Sequence, residues 1–159
     1  MRIGTGFDVH AFAPAPRPLL LAGHTVSETQ GLAGHSDADV LAHAVVDALL
    51  GALALGDLGS FFGVDTEELA DADSMVLLER TMAAVTERDH AVGNLDATVI
   101  AQQPRIGPHV AAIRSALAAA LAVDLTAVSV KATTTDRLGS IGRGEGIACW
   151  ATVLVHPVT

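Results

Sequence analysis

Two residues near the start of the chain have the types and the spacing of metal ligands. Asp8 and His10 stand two apart in the segment GTGFDVH, which we predict to be a strand. Side chains at i and i+2 of a strand share one face, about 6.6 Å apart, so both can point at one ion. A carboxylate oxygen and an imidazole nitrogen suit zinc. The plainer interpretation is a solvated aspartate beside a half-buried histidine, and two ligands are too few for a site.

A helix further along offers a third ligand. The segment SDADVLAHAVVDALL is almost entirely apolar from residue 40 to 50, but His43 and Asp47 interrupt it on one face at i and i+4. One interpretation is a buried neutral histidine satisfied by the Asp47 carboxylate. The other is that His43 joins Asp8 and His10 in a set that we call the triad, with Asp47 orienting the His43 ring. One aspartate and two histidines leave a fourth position open, as catalytic zinc sites do.

The residues before this helix are candidates for binding an anion. We predict the helix from Asp37 to about Leu55, with Ser36 as its N-cap. His35 and Ser36 would then lie at a helix N-terminus, where free N–H groups and the helix dipole favour phosphate. A phosphate there would lie within one or two helical turns of His43.

Two glycine- or threonine-rich segments could also contact a phosphorylated ligand. KATTTDRLG (131–139) leaves a predicted strand with three threonines, and its Asp136 could hold a hard cation such as Mg²⁺. Threonine is also simply a good strand residue. GRGEG (142–146) is either a structural turn or an anion site at a symmetry axis, and it lacks the spacing of a nucleotide P-loop.

The pattern along the chain predicts an α+β fold, because strands and helices mix with one main layer of each. Strands are predicted at 2–10, 19–22 with a hairpin partner near 25–26, 94–103, 127–135 and 147–155, and helices at 37–55, 74–88 and 109–122. A chain of 159 residues is of the size of one domain, so we expect residues 1–159 to form it.

Composition narrows the function classes. The chain has 18 acidic against 9 basic residues and a net charge of −9, without a basic stripe, so we expect no nucleic-acid partner. An acidic protein that binds phosphate needs local positive charge, for which bound metal ions are a source. The single cysteine excludes a disulfide framework and a cysteine-rich zinc site. Without an apolar run of about 18 residues or a signal-peptide pattern, we expect a cytoplasmic protein with no membrane partner.

Five segments, taken in order, resemble the family of 2-C-methyl-D-erythritol 2,4-cyclodiphosphate synthases, the zinc-dependent cyclases of the non-mevalonate isoprenoid pathway. They are GFDVH, GHSDADV-x-x-H-x-x-x-DALLGA, LGDLG, KATTTD and GRGEGIA. Each motif is weak alone, but the five in the family's order, from Arg2 to near the C-terminus, are specific together. The resemblance implies a four-stranded mixed sheet with helices on one face and a small β-hairpin. It also implies a homotrimer, with the sheets around its axis and active sites between adjacent subunits.

The resemblance implies a reaction as well. The substrate is 4-diphosphocytidyl-2-C-methyl-D-erythritol 2-phosphate, whose 2-phosphate attacks the β-phosphorus to form the cyclic diphosphate and release CMP. Zinc held by the triad would act as a Lewis acid on the β-phosphate. Mg²⁺ or Mn²⁺ held by Asp136 would bridge the diphosphate, and His35 and Thr134 would stabilise the transition state.

Further positions match the family's binding residues. The implied contacts are to the substrate or, for Arg143, to an isoprenoid diphosphate in a cavity on the trimer axis. They are Ser36, Asp57, Leu58, Gly59, Phe62, Asp65, Thr66, Ala101, Pro104, Arg105, Ile106, Gly107, Lys131, Ala132, Thr133, Thr135 and Arg143.

Four positions depart from the family's usual pattern. Asp136 stands where glutamate is common, and one methylene less shortens its reach by about 1.5 Å. Val64 stands where the family usually has an acidic residue, Ser140 where it has an aromatic residue, and Trp150 where an acidic residue is common. None of these departures touches the triad.

Three other interpretations remain open on the sequence. A metal-dependent phosphotransferase or phosphohydrolase would use the same zinc but admit water as the nucleophile. A trimeric isoprenoid-diphosphate binding protein would use zinc only as a structural ion. The motifs could also coincide by chance on an unrelated α+β protein.

Overall fold

A computed structural model describes residues 1–34, 36–63 and 73–158 of the chain, which contain both strands and helices. Four positions discussed above, His35, Val64, Asp65 and Thr66, lie outside the described residues. The strands are β1 (Arg2–Ala11), β2 (Leu19–Leu21), β3 (His24–Ser27), β4 (His90–Ala101), β5 (Val128–Thr133) and β6 (Gly146–Pro157). The helices are α1 (Val40–Ala52), α2 (Leu58–Phe62), α3 (Ser74–Thr86), α4 (Val110–Ala120) and α5 (Gly139–Gly142).

The main sheet has four strands in the order β1-β6-β4-β5. β6 runs antiparallel to both β1 and β4, whereas β5 is parallel to β4, with α4 in the connection between them. The sheet is therefore mixed, and the predicted α+β fold is confirmed. A separate two-stranded antiparallel sheet is formed by β2 and β3. No helix in the part of the chain that the structure describes is long and apolar enough to cross a membrane.

β1 lies directly against α1 because its inward face begins with two glycines. A Cβ atom on Gly4 would overlap the carbonyl oxygen of Ala48, and one on Gly6 would overlap that of Ala44. The backbones of strand and helix are thus in contact, which only glycine permits. Side chains alternate along a strand, so the face that starts with the glycines continues into Asp8 and His10.

This contact predicts the effect of one methyl group. Gly6→Ala should lower the free energy of unfolding by about 1–3 kcal/mol, because α1 must move away from β1 to admit the new Cβ. Gly107→Ala is the matched control, since a Cβ at that position meets nothing within 4 Å. Urea unfolding of both variants measures the difference. Equal stability of the two variants would contradict the backbone contact.

The other face of the sheet carries four exposed apolar side chains from β1 and β6. Ile3 is 69% exposed, Phe7 50%, Val9 51% and Trp150 51%. We call these four residues the open face. The rings of Phe7 and Trp150 meet edge to face with centroids 5.8 Å apart. Large apolar side chains that are exposed on one face are typical of a protein–protein contact.

The start of α1 differs from the prediction. The helix begins at Val40 with Asp39 as its N-cap, so the predicted start at Asp37 with Ser36 as cap is wrong. Asp39 is fully buried, and it accepts hydrogen bonds from Ala42 N at 2.9 Å and from Gly23 N at 2.7 Å. It therefore joins the β2–β3 turn to the helix. Burial raises the pKa of Asp39 despite these hydrogen bonds.

The end of α1 and the residues after it also differ. α1 stops at Ala52 rather than near Leu55, and α2 follows it. Asp57 starts α2 with a capping box, in which its side chain accepts from Ser60 N and Ser60 Oγ bonds the Asp57 backbone N–H.

Candidate metal centre and neighbouring cleft

The structure brings the three residues of the triad together. Asp8 and His10 come from the glycine-bearing face of β1, and His43 comes from the facing side of α1. Asp8 Oδ2 lies 3.0 Å from His10 Nε2 and 3.0 Å from His43 Nδ1. One ligand atom from each residue falls within 4.8 Å of the others. One carboxylate oxygen and two imidazole nitrogens around one point form a donor set that fits a divalent cation.

The electrostatics of the triad favour an ionised carboxylate. Burial raises the pKa of Asp8, but hydrogen bonds and charge from His10 and His43 outweigh it, so this pKa lies well below its usual range. The hydrogen bond to Asp8 in turn raises the pKa of His10. A metal ion needs the carboxylate charged, and the fold provides that.

Backbone groups orient the two ligands from β1. His10 Nδ1 donates to the carbonyl of Ala33 at 2.6 Å, which leaves the lone pair of Nε2 on the side of Asp8. Asp8 Oδ1 accepts from Val9 N at 2.8 Å, so Oδ2 is the oxygen directed at the histidines. Such outer contacts set the tautomer and the ring orientation of metal-binding histidines.

The role predicted for Asp47 is wrong. Its Oδ1 accepts from Leu58 N at 2.7 Å, at the start of α2. Both ring nitrogens of His43 have other partners, since Nδ1 lies beside Asp8 and Nε2 lies 2.9 Å from Ser74 Oγ. The i, i+4 spacing placed Asp47 on the correct side of α1, but its carboxylate holds α2 rather than the imidazole.

Ser36 lies beside the triad, although not at a helix terminus. Its Oγ is 3.4 Å from His43 Nε2 and accepts from Ala38 N at 3.2 Å. Arg17 Nη2 donates to the Ser36 carbonyl at 2.9 Å and so ties down this segment. The N-terminus of α1 is capped by the Asp39 carboxylate rather than by Ser36.

A cleft of about 260 Å³ opens where β4 and β5 end side by side. Because the two strands are parallel, their carboxyl ends and the loops that follow meet at one edge of the sheet. The lining residues are Gln102, Arg105, Ile106, Gly107, Pro108, Ala132, Thr133 and Thr134. All except Gln102 and Pro108 were predicted as site residues. These two flank predicted positions in the same loop, which is the signal that could have included them.

Comparison with known proteins agrees with the triad. A sequence model of the YgbB family matches residues 1–156. The chain belongs to the YgbB family. A Marinobacter nauticus relative named 2-C-methyl-D-erythritol 2,4-cyclodiphosphate synthase is 54% identical over 100% of this chain and 99% of its own length. The resemblance inferred from the five motifs is thereby confirmed.

Solved structures give the same relationship for this YgbB-family chain. The bifunctional IspDF from Campylobacter jejuni superposes with a TM-score of 0.94 at 43% identity, covering 98% of this chain but only 42% of that protein. A Plasmodium falciparum structure described as an IspF CDP complex has a TM-score of 0.86 at 31% identity, covering 99% of this chain and 97% of that one.

The loop after β5 is held against the cleft. Gln102 Oε1 accepts from Arg137 N at 3.2 Å, and Thr135 Oγ1 donates to Leu138 O at 2.7 Å. Thr134 Oγ1 donates to Asp136 Oδ1 at 3.3 Å, so the candidate catalytic threonine and the candidate second metal ligand of this YgbB-family chain are in contact. Asp136 has a backbone φ of 51°, in the left-handed region. Non-glycine residues in that region often mark functional loops.

The remaining predicted residues are not among those that line the cleft. Lys131 Nζ pairs with Asp96 Oδ2 at 2.6 Å, and Arg143 Nε pairs with Glu145 Oε1 at 2.6 Å. Ala101 is buried at the end of β4, and Pro104 follows in the turn. Asp57, Leu58, Gly59 and Phe62 lie at or in α2, which Asp47 attaches to α1.

Proposed function

We propose that this chain is a 2-C-methyl-D-erythritol 2,4-cyclodiphosphate synthase of the non-mevalonate isoprenoid pathway. It would convert 4-diphosphocytidyl-2-C-methyl-D-erythritol 2-phosphate to the cyclic diphosphate and CMP. The observation that carries the proposal is the triad, assembled within 4.8 Å in a chain that matches a synthase of this name over its whole length. The same similarity does not favour the alternative of an isoprenoid-diphosphate binding protein.

The reaction requires placement more than proton transfer. An oxygen of the 2-phosphate forms a bond to the β-phosphorus, and the bond from that phosphorus to the bridging oxygen breaks. The electron pair leaves with CMP. Because the nucleophile is already an anionic phosphate oxygen, the chain's main tasks are alignment and charge neutralisation.

The residues of the cleft and triad divide these tasks. Asp8, His10 and His43 would hold zinc, which supplies Lewis-acid polarisation of a phosphate oxygen when bound. Asp136 would hold Mg²⁺ or Mn²⁺. Thr133 and Thr134, at the cleft edge, would donate hydrogen bonds to the diphosphate.

The cytidine end of the substrate would lie against the loop that contains Arg105, Ile106 and Gly107, whose residues line the same cleft. His35 and Thr134 would stabilise the transition state. Ser36, beside His43, would contact the methylerythritol phosphate. The other substrate contacts implied by the family resemblance stay part of this proposal.

We also propose a cytoplasmic homotrimer in which residues 1–159 form one domain per subunit. The open face supports this, since four large apolar side chains there are at least half exposed in the isolated chain. Active sites would lie between adjacent subunits. Arg143 would face an isoprenoid diphosphate near the axis.

Mass analysis of the product in ¹⁸O-labelled water tests the reaction. We expect CMP and a cyclic diphosphate that carries no solvent oxygen, because the attacking oxygen belongs to the substrate. The His43→Ala variant, incubated in parallel, is the control for background cyclisation. An ¹⁸O-labelled, ring-opened product would instead show a phosphohydrolase.

A further inference from the structure

Ser74 is fully buried at the first residue of α3, and it contacts His43 on the side of the ring away from Asp8. Its Oγ lies 2.9 Å from His43 Nε2. The same residue makes two bonds to Asp37, from its backbone N–H to Oδ2 at 2.9 Å and from its hydroxyl to Oδ1. His43, Ser74 and Asp37 therefore form a continuous hydrogen-bonded chain, which we call the relay.

Counting protons along the relay fixes the direction of each bond. Ser74 donates its single hydroxyl proton to Asp37 Oδ1. Its Oγ then offers only a lone pair to His43, and Nε2 must be the donor. A neutral imidazole with a proton on Nε2 has a bare Nδ1, and Nδ1 is the nitrogen that lies 3.0 Å from Asp8 Oδ2.

The same count applies to His10. In the neutral form that a metal ion requires, the single ring proton of His10 lies on Nδ1 and bonds the Ala33 carbonyl, so Nε2 is bare at 3.0 Å from Asp8 Oδ2. The hydrogen bond from His10 to Asp8 belongs to the protonated form. Two imidazole lone pairs and one carboxylate oxygen then converge on one point. Three acceptors with no proton between them form a cation site.

We infer that Asp37 and Ser74 are positioning residues that hold His43 in the Nε2–H tautomer and so direct its Nδ1 lone pair at the metal. This inference rests on the proposed metal site. It adds two residues that lie 6 positions before and 31 positions after His43 in the chain, and it gives the start of α3 a part in metal binding.

The second hydroxyl near His43 does not replace the relay. Ser36 Oγ is 3.4 Å from His43 Nε2, which is longer than the contact from Ser74. The same oxygen also accepts a hydrogen bond from Ala38 N. Among the contacts described, the Ser36 hydroxyl donates to no carboxylate, so the direction of its proton is not fixed. Of these two hydroxyls, that of Ser74 is fully buried and has a fixed donor direction.

Two substitutions test the relay in different ways. Ser74→Ala removes the acceptor of the Nε2 proton. Asp37→Asn keeps the shape of the side chain, but its amide can donate a hydrogen bond to Ser74 Oγ. The Ser74 hydroxyl is then free to donate to His43 Nε2, which favours the tautomer with the proton on Nδ1. Ser115→Ala is the matched control, because its exposed hydroxyl bonds only within α4.

The first measurement is the zinc dissociation constant of the full-length chain, by competition with a chromophoric chelator at fixed pH. We expect wild type and Ser115→Ala to agree within twofold, and Ser74→Ala and Asp37→Asn to bind about 10- to 100-fold more weakly. The second is long-range ¹H–¹⁵N NMR of ¹⁵N-histidine protein, which reports the nitrogen that carries the proton. We expect Nε2–H at His43 in wild type, with loss of that preference in Asp37→Asn.

The outcomes separate the relay from the metal site itself. If wild type binds zinc but both variants keep its affinity within threefold, or His43 lacks an Nε2 proton, the relay is wrong. If wild type binds no zinc, the proposed metal site fails first. Should Ser74→Ala not fold in thermal melts with chelator present, Asp37→Asn alone decides through the tautomer.

Discussion

Replacing His43 by alanine should lower the rate of CMP release by at least about a thousandfold. The substitution removes one of three ligands, and a metal ion that polarises phosphate contributes several kcal/mol to transition-state stabilisation, with each 1.4 kcal/mol corresponding to tenfold in rate. Zinc content measured by atomic emission should fall from about one per chain to a small fraction. Turnover of the cytidyl substrate, followed as CMP, is the second measurement.

The matched control is His90→Ala. His90 lies at the start of β4, where its ring bonds the Arg88 carbonyl. In the sheet it pairs with Pro157 at the end of β6, whereas Asp8 pairs with Cys149 near the beginning of β6. His90 is therefore far along the sheet from the triad. This variant should keep both zinc and turnover. A His43→Ala protein that folds, loses zinc and still releases CMP within tenfold of wild type would refute the catalytic role of the triad.

Introducing a charge on the open face should dissociate the protein and remove its activity together. In Phe7→Glu, a carboxylate replaces a ring that is half exposed in the isolated chain and meets the Trp150 ring edge to face. If this face is buried between subunits, the buried charge costs several kcal/mol, more than most interfaces tolerate. We expect native mass spectrometry to shift from three chains to one. CMP release should fall at least about a hundredfold, because each proposed site needs an adjacent subunit.

Val76→Glu on α3 is the matched control, because it places the same charge at an exposed apolar residue outside the open face. Val76 is 47% exposed, close to the 50% of Phe7, but it lies outside the sheet. The control should stay a trimer with full turnover. A Phe7→Glu protein that remains trimeric would contradict the assignment of the open face to the subunit contact. Full activity from single chains would contradict sites shared between subunits.

Sequence reasoning succeeded where a local pattern decides the structure. The alternation in β1 placed Asp8 and His10 on one face, and the apolar run around His43 required a buried helix. The start of α1 was missed because Ser36, Asp37 and Asp39 are all good capping residues. Only a contact from a distant turn, the N–H of Gly23, selects Asp39.

The contacts that orient His43 could not be obtained in this way. Ser74 has the sequence signature of an ordinary residue at a helix start, 31 positions beyond the histidine that it touches. Asp47 had the right helical spacing, yet whether its carboxylate reaches the ring or the next helix depends on where α2 begins. The contacts of Ser74 and Asp47 both depend on how the helices pack in three dimensions, and sequence periodicity does not predict that packing.

The backbone contact between β1 and α1 bears on the choice of ion. Gly4 and Gly6 set the distance between the two elements through main-chain atoms, which have no rotamers to adjust. The ligands on these elements cannot spread apart without unpacking the sheet. Four-coordinate zinc, with ligand distances of about 2.0–2.2 Å, suits so narrow a frame. Calcium, which takes six to eight oxygens at about 2.3–2.6 Å, is disfavoured. If the triad binds a metal ion, these two residues without side chains would limit the size of the ion that fits.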